Sequence, residues 1–317
     1  MDKYFSVADA GNPEELAREA LQVKYNPLAF KSLGKDKSVC LIFLNPSLRT
    51  RLSTQKAAAN MGMDCFVFDV GKDGWQLEFG DGVVMNADKA EHIREAAAVI
   101  GSYFDVIAIR SFPSLTDREK DYSEEVFNQF TKYCGKPVIN MESATLHPLQ
   151  SLTDLMTIRE HAKVKRPKVV LTWAPHPRAL PQSTVNSFAQ WMSAADVDLV
   201  ITHPEGYALK EEFTSNAVIE PDQEKAFSGA DFIYAKNWSS YESYGKVLNE
   251  DSTWMVNANK MSLTNNGKFM HCLPVRRNVI VADEVLDSPS SIVIQQAANR
   301  EFAAQTVLKK ILETHHG

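Results

Sequence analysis

The residues best suited to chemistry lie in short stretches spread along the chain. Ser47-Leu48-Arg49-Thr50-Arg51 follows an apolar run, Leu41-Ile42-Phe43-Leu44, through Asn45-Pro46. A strand that turns into a helix there would bring first-turn backbone N–H groups, two hydroxyls and two guanidinium groups round one spot. Helix N-termini attract anions through those N–H groups and the helix dipole. The planar guanidinium fork can bond two phosphate oxygens at once. Ser47 is the natural N-cap, and the whole reads as a cradle for a phosphate. A capped helix with solvated arginines would account for Ser47 alone, but the four polar residues together favour an anion site.

Four further stretches are candidates. Arg110 comes directly after the apolar run Val106-Ile107-Ala108-Ile109. His147-Pro148-Leu149-Gln150 and His271-Cys272-Leu273-Pro274 each combine a histidine with a proline turn, and Gln296-Ala297-Ala298-Asn299-Arg300 lies near the C-terminus. Singly, a histidine is more often structural than catalytic, and a strand-end arginine is more often solvated.

The elements that must position these residues alternate. Strands are expected at Ser38 to Leu44, Cys65 to Val70, Val106 to Ile109 and Pro137 to Ile139. They are interleaved with helices at Arg49 to Met61, Ala90 to Ser102 and Glu124 to Tyr133. The pattern restarts with a helix at Leu149 to His161. Strands follow at Lys168 to Trp173, Val197 to Ile201, Phe232 to Ala235 and Phe269 to Cys272, with helices at Ser183 to Met192 and Asp222 to Phe227. Ser290 to Glu313 closes as a long helix. Strand–helix alternation predicts α/β architecture with parallel sheets covered on both faces, here two doubly wound domains meeting near Leu146 to Leu152. Ligands in such sheets bind beyond the carboxyl ends of the strands, where the candidate residues fall.

Composition narrows the function. With 317 residues, 44% hydrophobic and 23% charged, the chain can bury two cores. A net charge of −6 argues against a nucleic-acid partner. The one basic run, Lys163-Val164-Lys165-Arg166-Pro167-Lys168, reads as a solvated linker. No apolar run reaches membrane-span length, and the N-terminus lacks a signal-peptide pattern. Cys40, Cys65, Cys134 and Cys272 include no Cys-x-x-Cys pair, which suits free thiols, Cys40 and Cys65 among them buried, in a reducing cytoplasm.

Taken in order, the stretches resemble the aspartate/ornithine carbamoyltransferase family. Ser47 to Arg51 is similar to its Ser-x-Arg-Thr-Arg motif and His147 to Gln150 to its His-Pro-x-Gln. His271 to Pro274 and Gln296 to Arg300 resemble the final motifs of the ornithine branch. The matches run from residue 43 to residue 300. The resemblance implies a homotrimer with active sites shared between subunits. It implies a carbamoyl-phosphate domain of residues 1–147 plus 300–317, a C-terminal helix packed back on it, and an amine-binding domain of residues 148–299. It implies no cofactor and no metal. Ser47, the Leu48 backbone, Arg49 and Thr50 would grip the phosphate and Arg300 would complete that shell. Arg110, His147 and Thr50 would face the carbonyl oxygen as an oxyanion hole, where one donor typically contributes about 10²–10³ in rate. Gln150 would hold the carbamoyl NH2, and Cys272 with the Leu273 carbonyl would line the path of the δ-amine. Trp75, in the loop Gly71-Lys72-Asp73-Gly74-Trp75, would reach carbamoyl phosphate in the neighbouring subunit.

Departures from the ornithine pattern point to the acceptor. Ornithine enzymes carry an aspartate two residues before the tryptophan of Ala235-Lys236-Asn237-Trp238; here Lys236 takes its place. A lysine about 4 Å from an α-ammonium would cost roughly 4 kcal/mol at intermediate dielectric, so a masked α-amine is expected. Glu142 replaces an apolar residue and could accept from an amide N–H or the δ-amine. Arg276, in Val275-Arg276-Arg277-Asn278, suits a carboxylate. His176 is a candidate substrate contact, although a turn histidine would look the same. These features resemble the N-acylornithine branch. Where acetyl-specific relatives place a glutamate, Asp88-Lys89-Ala90-Glu91 offers the small, neutral Ala90, which permits a succinyl carboxylate. N2-succinyl-L-ornithine is therefore the expected acceptor in a step of arginine biosynthesis. N2-acetyl-L-ornithine is the alternative, and ornithine itself is less favoured. A dehydrogenase would need Gly-x-Gly-x-x-Gly after an early strand, which this chain lacks. A non-catalytic phosphate-binding protein would leave His147, Gln150, Cys272 and Lys236 without a purpose.

Overall fold

A computed structural model describes residues 1–315. The strands are β1 (Lys3–Tyr4), β2 (Ser38–Phe43), β3 (Asp64–Asp69), β4 (Leu77–Glu78), β5 (Glu91–His92), β6 (Val106–Arg110), β7 (Val138–Glu142), β8 (Lys168–Trp173), β9 (Asp198–Thr202), β10 (Val218–Ile219), β11 (Phe232–Lys236) and β12 (Lys268–Met270). The helices are α1 (Pro13–Tyr25), α2 (Arg49–Met61), α3 (Ile93–Tyr103), α4 (Arg118–Tyr122), α5 (Glu125–Tyr133), α6 (Pro148–His161), α7 (Ser183–Ser193), α8 (Glu211–Thr214), α9 (Gln223–Phe227), α10 (Ala258–Ser262), α11 (Asp283–Leu286) and α12 (Val293–His315).

Two five-stranded sheets form, in the orders β1-β7-β6-β2-β3 and β10-β9-β8-β11-β12. Every pairing within them is parallel. The central strands are buried along nearly their whole length, as expected of parallel strands covered on both faces. In the first sheet the chain winds outward from β2 to β3, then crosses back to lay β6 on the other side of β2. In the second it winds from β8 through β9 to β10, then returns to lay β11 on the other side of β8. Each reversal opens a crevice beyond the strand ends. One lies between the ends of β2 and β6, the other between those of β8 and β11.

Helix α6 joins the two sheets. From Pro148 to Ile158 every residue is buried, and Leu149, Leu152, Leu155, Met156 and Ile158 belong to a core cluster that also holds Leu41 of β2 and Leu171 of β8. Helix α12 runs unbroken from beside β12 and packs against α1, α2 and α6. The expected domain boundary at residues 299 and 300 thus falls inside one helix, and residues 316–317 of that assignment lie outside the described residues. Sequence periodicity assigned no element before Ser38. Yet α1 carries an N-cap Asn12, Pro13 at its first position and Glu14 and Glu15 in its first turn, a legible start signal. Among the described residues no helix is long and apolar enough to cross a membrane.

Candidate active site

The two crevices face one another across a cavity of about 230 Å³. Ser47, Arg49, Thr50 and Arg110 enter from the first sheet, His147 and Gln150 from the start of α6, and Arg300 from α12. His176, Lys236, Cys272 and Leu273 enter from strand ends of the second sheet, with Glu142 at the end of β7 between the two groups. Four cations of arginine or lysine type line the cavity against one carboxylate, in a chain whose net charge is −6. Low-dielectric walls concentrate such a field, so the cleft selects anions although the molecule as a whole repels them.

The phosphate side differs from expectation in two respects. Leu48, not Ser47, is the N-cap of α2, and no side chain caps its first turn. The first-turn N–H groups are therefore left for an anion, and the Ser47 side chain lines the cavity instead. Arg51 is exposed and does not line the cleft, because it points one helical step away from Arg49 and Thr50. Arg300 is buried; its Nη2 donates to Thr50 Oγ1 at 2.7 Å and its Nη1 to Gln150 Oε1. Burial, with the charge of Arg49 nearby, pulls the Arg300 guanidinium below its ordinary pKa. Arg49 is shifted the same way by burial and by Arg110. An incoming dianion relieves both.

Arg110 is the last residue of β6, and a register shift between Ile109 and Arg110 sets it opposite Glu142. Its Nη1 donates to the carbonyl oxygens of Asn45 and Pro46 at 3.0 and 2.7 Å, its Nε and Nη2 lie 3.2 Å from Glu142 Oε2, and its plane stacks on Phe112. Ser183 Oγ donates to Glu142 Oε1 at 3.0 Å. His147 precedes Pro148 at the uncapped start of α6, with Nε2 3.7 Å from Glu142 Oε2 and Nδ1 buried without a partner. Burial, with Arg300 and Arg110 adding to it, holds the imidazole well below its ordinary pKa. It is a neutral ring able to donate one N–H.

On the other side, His176 stands in the turn after β8. Arg276 Nε donates to its Nε2 at 3.0 Å, and its Nδ1 lies 2.8 Å from the Arg178 carbonyl oxygen and 3.0 Å from the Arg178 backbone nitrogen, so the ring is held by its own turn on one side and by Arg276 on the other. Lys236 ends β11, lines the cavity and has no salt-bridge partner among the described residues. Leu273 occupies the left-handed region at φ 56°, a rare conformation for a branched side chain that recurs at functional sites. Its N–H donates to His271 Nδ1 at 2.8 Å. Cys272 is partly exposed in the cleft, and the surrounding protein mass pushes its thiol pKa up.

Trp75 and Ala90 do not line this cavity. Trp75 is exposed, its indole donates to Glu91 Oε2 at 2.7 Å, and it borders a separate hollow with Phe66, Val99 and Phe104. Ala90 is exposed in the next loop, between β4 and β5. Leu48, a cap by its backbone, turns its side chain to solvent. Cys65 is half-buried where full burial was expected; all four cysteines are free. Sequence reasoning passed over Phe112, Leu180, Pro181, Thr184 and Pro274, which also line the cleft. Phe112 and Pro274 lie shortly after the ends of β6 and β12, where the strand-end signal was available, whereas Leu180 and Pro181 belong to the longer β8–α7 loop and Thr184 to α7 itself.

Known proteins align with this arrangement. Residues 5–160 match the model of the aspartate/ornithine carbamoyltransferase carbamoyl-P binding domain, and residues 181–311 that of the Asp/Orn binding domain. The chain is 54% identical over 315 residues to the N-succinylornithine carbamoyltransferase of Bacteroides thetaiotaomicron, covering 99% of each. It is 36% identical over 320 residues to the N-acetylornithine carbamoyltransferase of Xanthomonas campestris pv. campestris, covering 94% of each. A crystal structure of a variant N-acetyl-L-ornithine transcarbamylase, complexed with carbamyl phosphate and N-succinyl-L-norvaline, superposes with a TM-score of 0.92 at 35% identity, over 98% of this chain and 100% of that one. A cationic cleft built from these motifs between two parallel sheets, in a chain that matches such relatives end to end, belongs to the aspartate/ornithine carbamoyltransferase family.

Proposed function

We propose that this enzyme transfers the carbamoyl group of carbamoyl phosphate to the δ-amine of N2-succinyl-L-ornithine, giving N-succinylcitrulline and phosphate. The observation that supports it most is Lys236, unpaired in the cleft where an α-ammonium would be repelled but the carboxylate of an acylated amino acid is attracted. The 54% identity to an N-succinylornithine carbamoyltransferase supports the same acceptor. In this reading the first-turn N–H groups of α2, with Ser47, Arg49, Thr50 and Arg300, hold the departing phosphate. Arg110, neutral His147 and Thr50 stabilise the oxyanion as the amine adds. Gln150 holds the carbamoyl NH2, Cys272 and Leu273 border the amine, and Glu142, His176, Lys236 and Arg276 hold the acylated amino acid. Residues 1–147 plus 300–317 form the carbamoyl-phosphate domain and residues 148–299 the acylornithine domain.

The working unit is a homotrimer. Leu48 and Leu52 beside the phosphate site, and Phe66, Trp75, Val99 and Tyr103 on the same unit, are exposed apolar side chains that a second subunit would cover. Trp75 and Ala90 then complete the neighbour's site. The free thiols suit a cytoplasmic location, and the product suits arginine biosynthesis.

The test is a side-by-side assay of carbamoyl phosphate with succinylornithine, acetylornithine, ornithine and aspartate. Succinylornithine is expected to give the highest kcat/KM; acetylornithine in first place would make the enzyme an acetylornithine carbamoyltransferase. Ala90→Glu is expected to shift preference toward acetylornithine, and unchanged use of succinylornithine would defeat the role given to this loop.

A further inference from the structure

Asp154 lies one helical turn beyond Gln150 on α6 and is fully buried. Its Oδ1 accepts from Gln150 Nε2 at 2.7 Å and from Gln296 Nε2 at 2.6 Å. An ionised carboxylate only accepts hydrogen bonds, so both amides must turn their NH2 groups toward it and their oxygens away. The Gln150 oxygen accordingly receives Arg300, whose other arm holds Thr50. The Gln296 oxygen receives the His271 N–H at 2.9 Å, and His271 in turn fixes the Leu273 N–H beside Cys272.

We propose that Asp154 is a positioning residue for both substrates, a single buried carboxylate that sets the direction of one amide on the carbamoyl-phosphate side and one on the amine side. This rests on the carbamoyltransferase reading. Asp154 touches neither substrate. It acts through Gln150, whose oxygen must face the cleft to accept from the carbamoyl NH2, and through Gln296, which pins the His271-Cys272-Leu273 turn to α12. The Asp154–Gln296 bond links residues 142 positions apart in sequence and, with the bond from Gln150, couples the two crevices. The groups that face it are Arg300 of α12, Tyr234 of β11 and Cys272 after β12. Burial pushes its pKa to about 7, and Oδ2, which has no hydrogen-bond partner among the described residues, can take the proton while Oδ1 still accepts from both amides.

The experiment compares wild type with Asp154→Leu. Leucine keeps the size but accepts no hydrogen bond, so neither amide is held, whereas asparagine would still present an oxygen where Oδ1 stands. The KM values for carbamoyl phosphate and for acylornithine are each expected to rise about tenfold, the effect of one misdirected hydrogen bond, with kcat lowered as well. Double variants separate positioning from general loosening. Adding Asp154→Leu to Gln150→Ala should leave the carbamoyl-phosphate KM of the single Gln150→Ala variant unchanged, because the residue acts through that amide. Additive effects would overturn the proposal, as would wild-type KM values in Asp154→Leu. Should Asp154→Leu fail to fold, Gln296→Met leaves Asp154 and Gln150 in place. It should raise the acylornithine KM while inhibition by inorganic phosphate stays unchanged; an effect on phosphate alone, on both or on neither would overturn the proposal. Wild type inactive with carbamoyl phosphate and every acceptor would instead defeat the functional reading itself.

Discussion

Arg110 and Glu142 stand opposite one another in the register of β6 and β7, and their side chains pair at 3.2 Å with both almost removed from water. Breaking such a pair strands its partner as an uncompensated buried charge. Here the stranded partner would be a guanidinium in a cleft already rich in cations. Glu142 therefore holds Arg110 in place until a dianion arrives to share it.

Glu142→Ala is expected to lower stability by about 3–5 kcal/mol, the range for removing one partner of a buried ion pair. Carbamoyl phosphate should restore part of the loss, because it supplies negative charge where the carboxylate was. Urea unfolding with and without the ligand checks this. An identical loss in both conditions would show that the two charges do not compete for Arg110.

His147→Ala is expected to lower kcat by about 10²–10³, as for removal of one oxyanion donor. Because the ring is held neutral well below its ordinary pKa, it should donate unchanged across the neutral range. The pH profiles of wild type and His147→Asn should therefore share one shape between about pH 6 and 8. A wild-type inflection absent from the variant would mean that His147 titrates there.

Lys236→Asp should reverse the charge that meets the α-substituent. The ratio of kcat/KM for free ornithine to that for the acylated substrate should rise at least about tenfold, since the repulsion removed is worth roughly 4 kcal/mol at 4 Å and intermediate dielectric. A ratio unchanged from wild type would place the α-substituent elsewhere in the cleft.

Cys272→Ser should keep substantial activity. Its thiol is pushed above the ordinary range by burial, so little thiolate exists at neutral pH, and the transfer needs no covalent intermediate. Complete loss in a folded variant would argue for a covalent step.

Asp154 also gives stability a pH dependence whose sign is fixed. Its folded pKa, about 7, lies above the ordinary 3.8. The native state thus holds its proton more tightly than the unfolded chain, and this contribution to stability, full below about pH 4, is lost as pH rises through 7. Relative to wild type, Asp154→Asn should gain in melting temperature between about pH 4 and 7 and then level off. A constant difference across that range would place the Asp154 pKa near its ordinary value.

Strand–helix alternation reports which residues neighbour one another along the chain, so the helices at residues 49–61 and 149–161 and the strand at 168–173 were legible to within a residue or so. Motif order was legible too, because Ser47, Arg110, His147 and Cys272 sit at the ends of elements whose period could be read. Direction in space was not. Ser47 was a plausible cap by type, but Leu48 takes that place, and Arg51 turns outward because each helical step rotates a side chain away from its neighbour.

The sequence by itself determined the elements, the chemical inventory of the cleft and, through Lys236 in place of an aspartate, the sign of the charge awaiting the acceptor. The tertiary structure alone decided that Arg110 pairs with Glu142, that Asp154 ties Gln150 to Gln296, and that Trp75 turns away from its own chain's site. Local pattern carries only short-range information. Which distant side chains converge is set by the crossover of β6 over β2, the crossover of β11 over β8, and the burial of α6 between the two sheets.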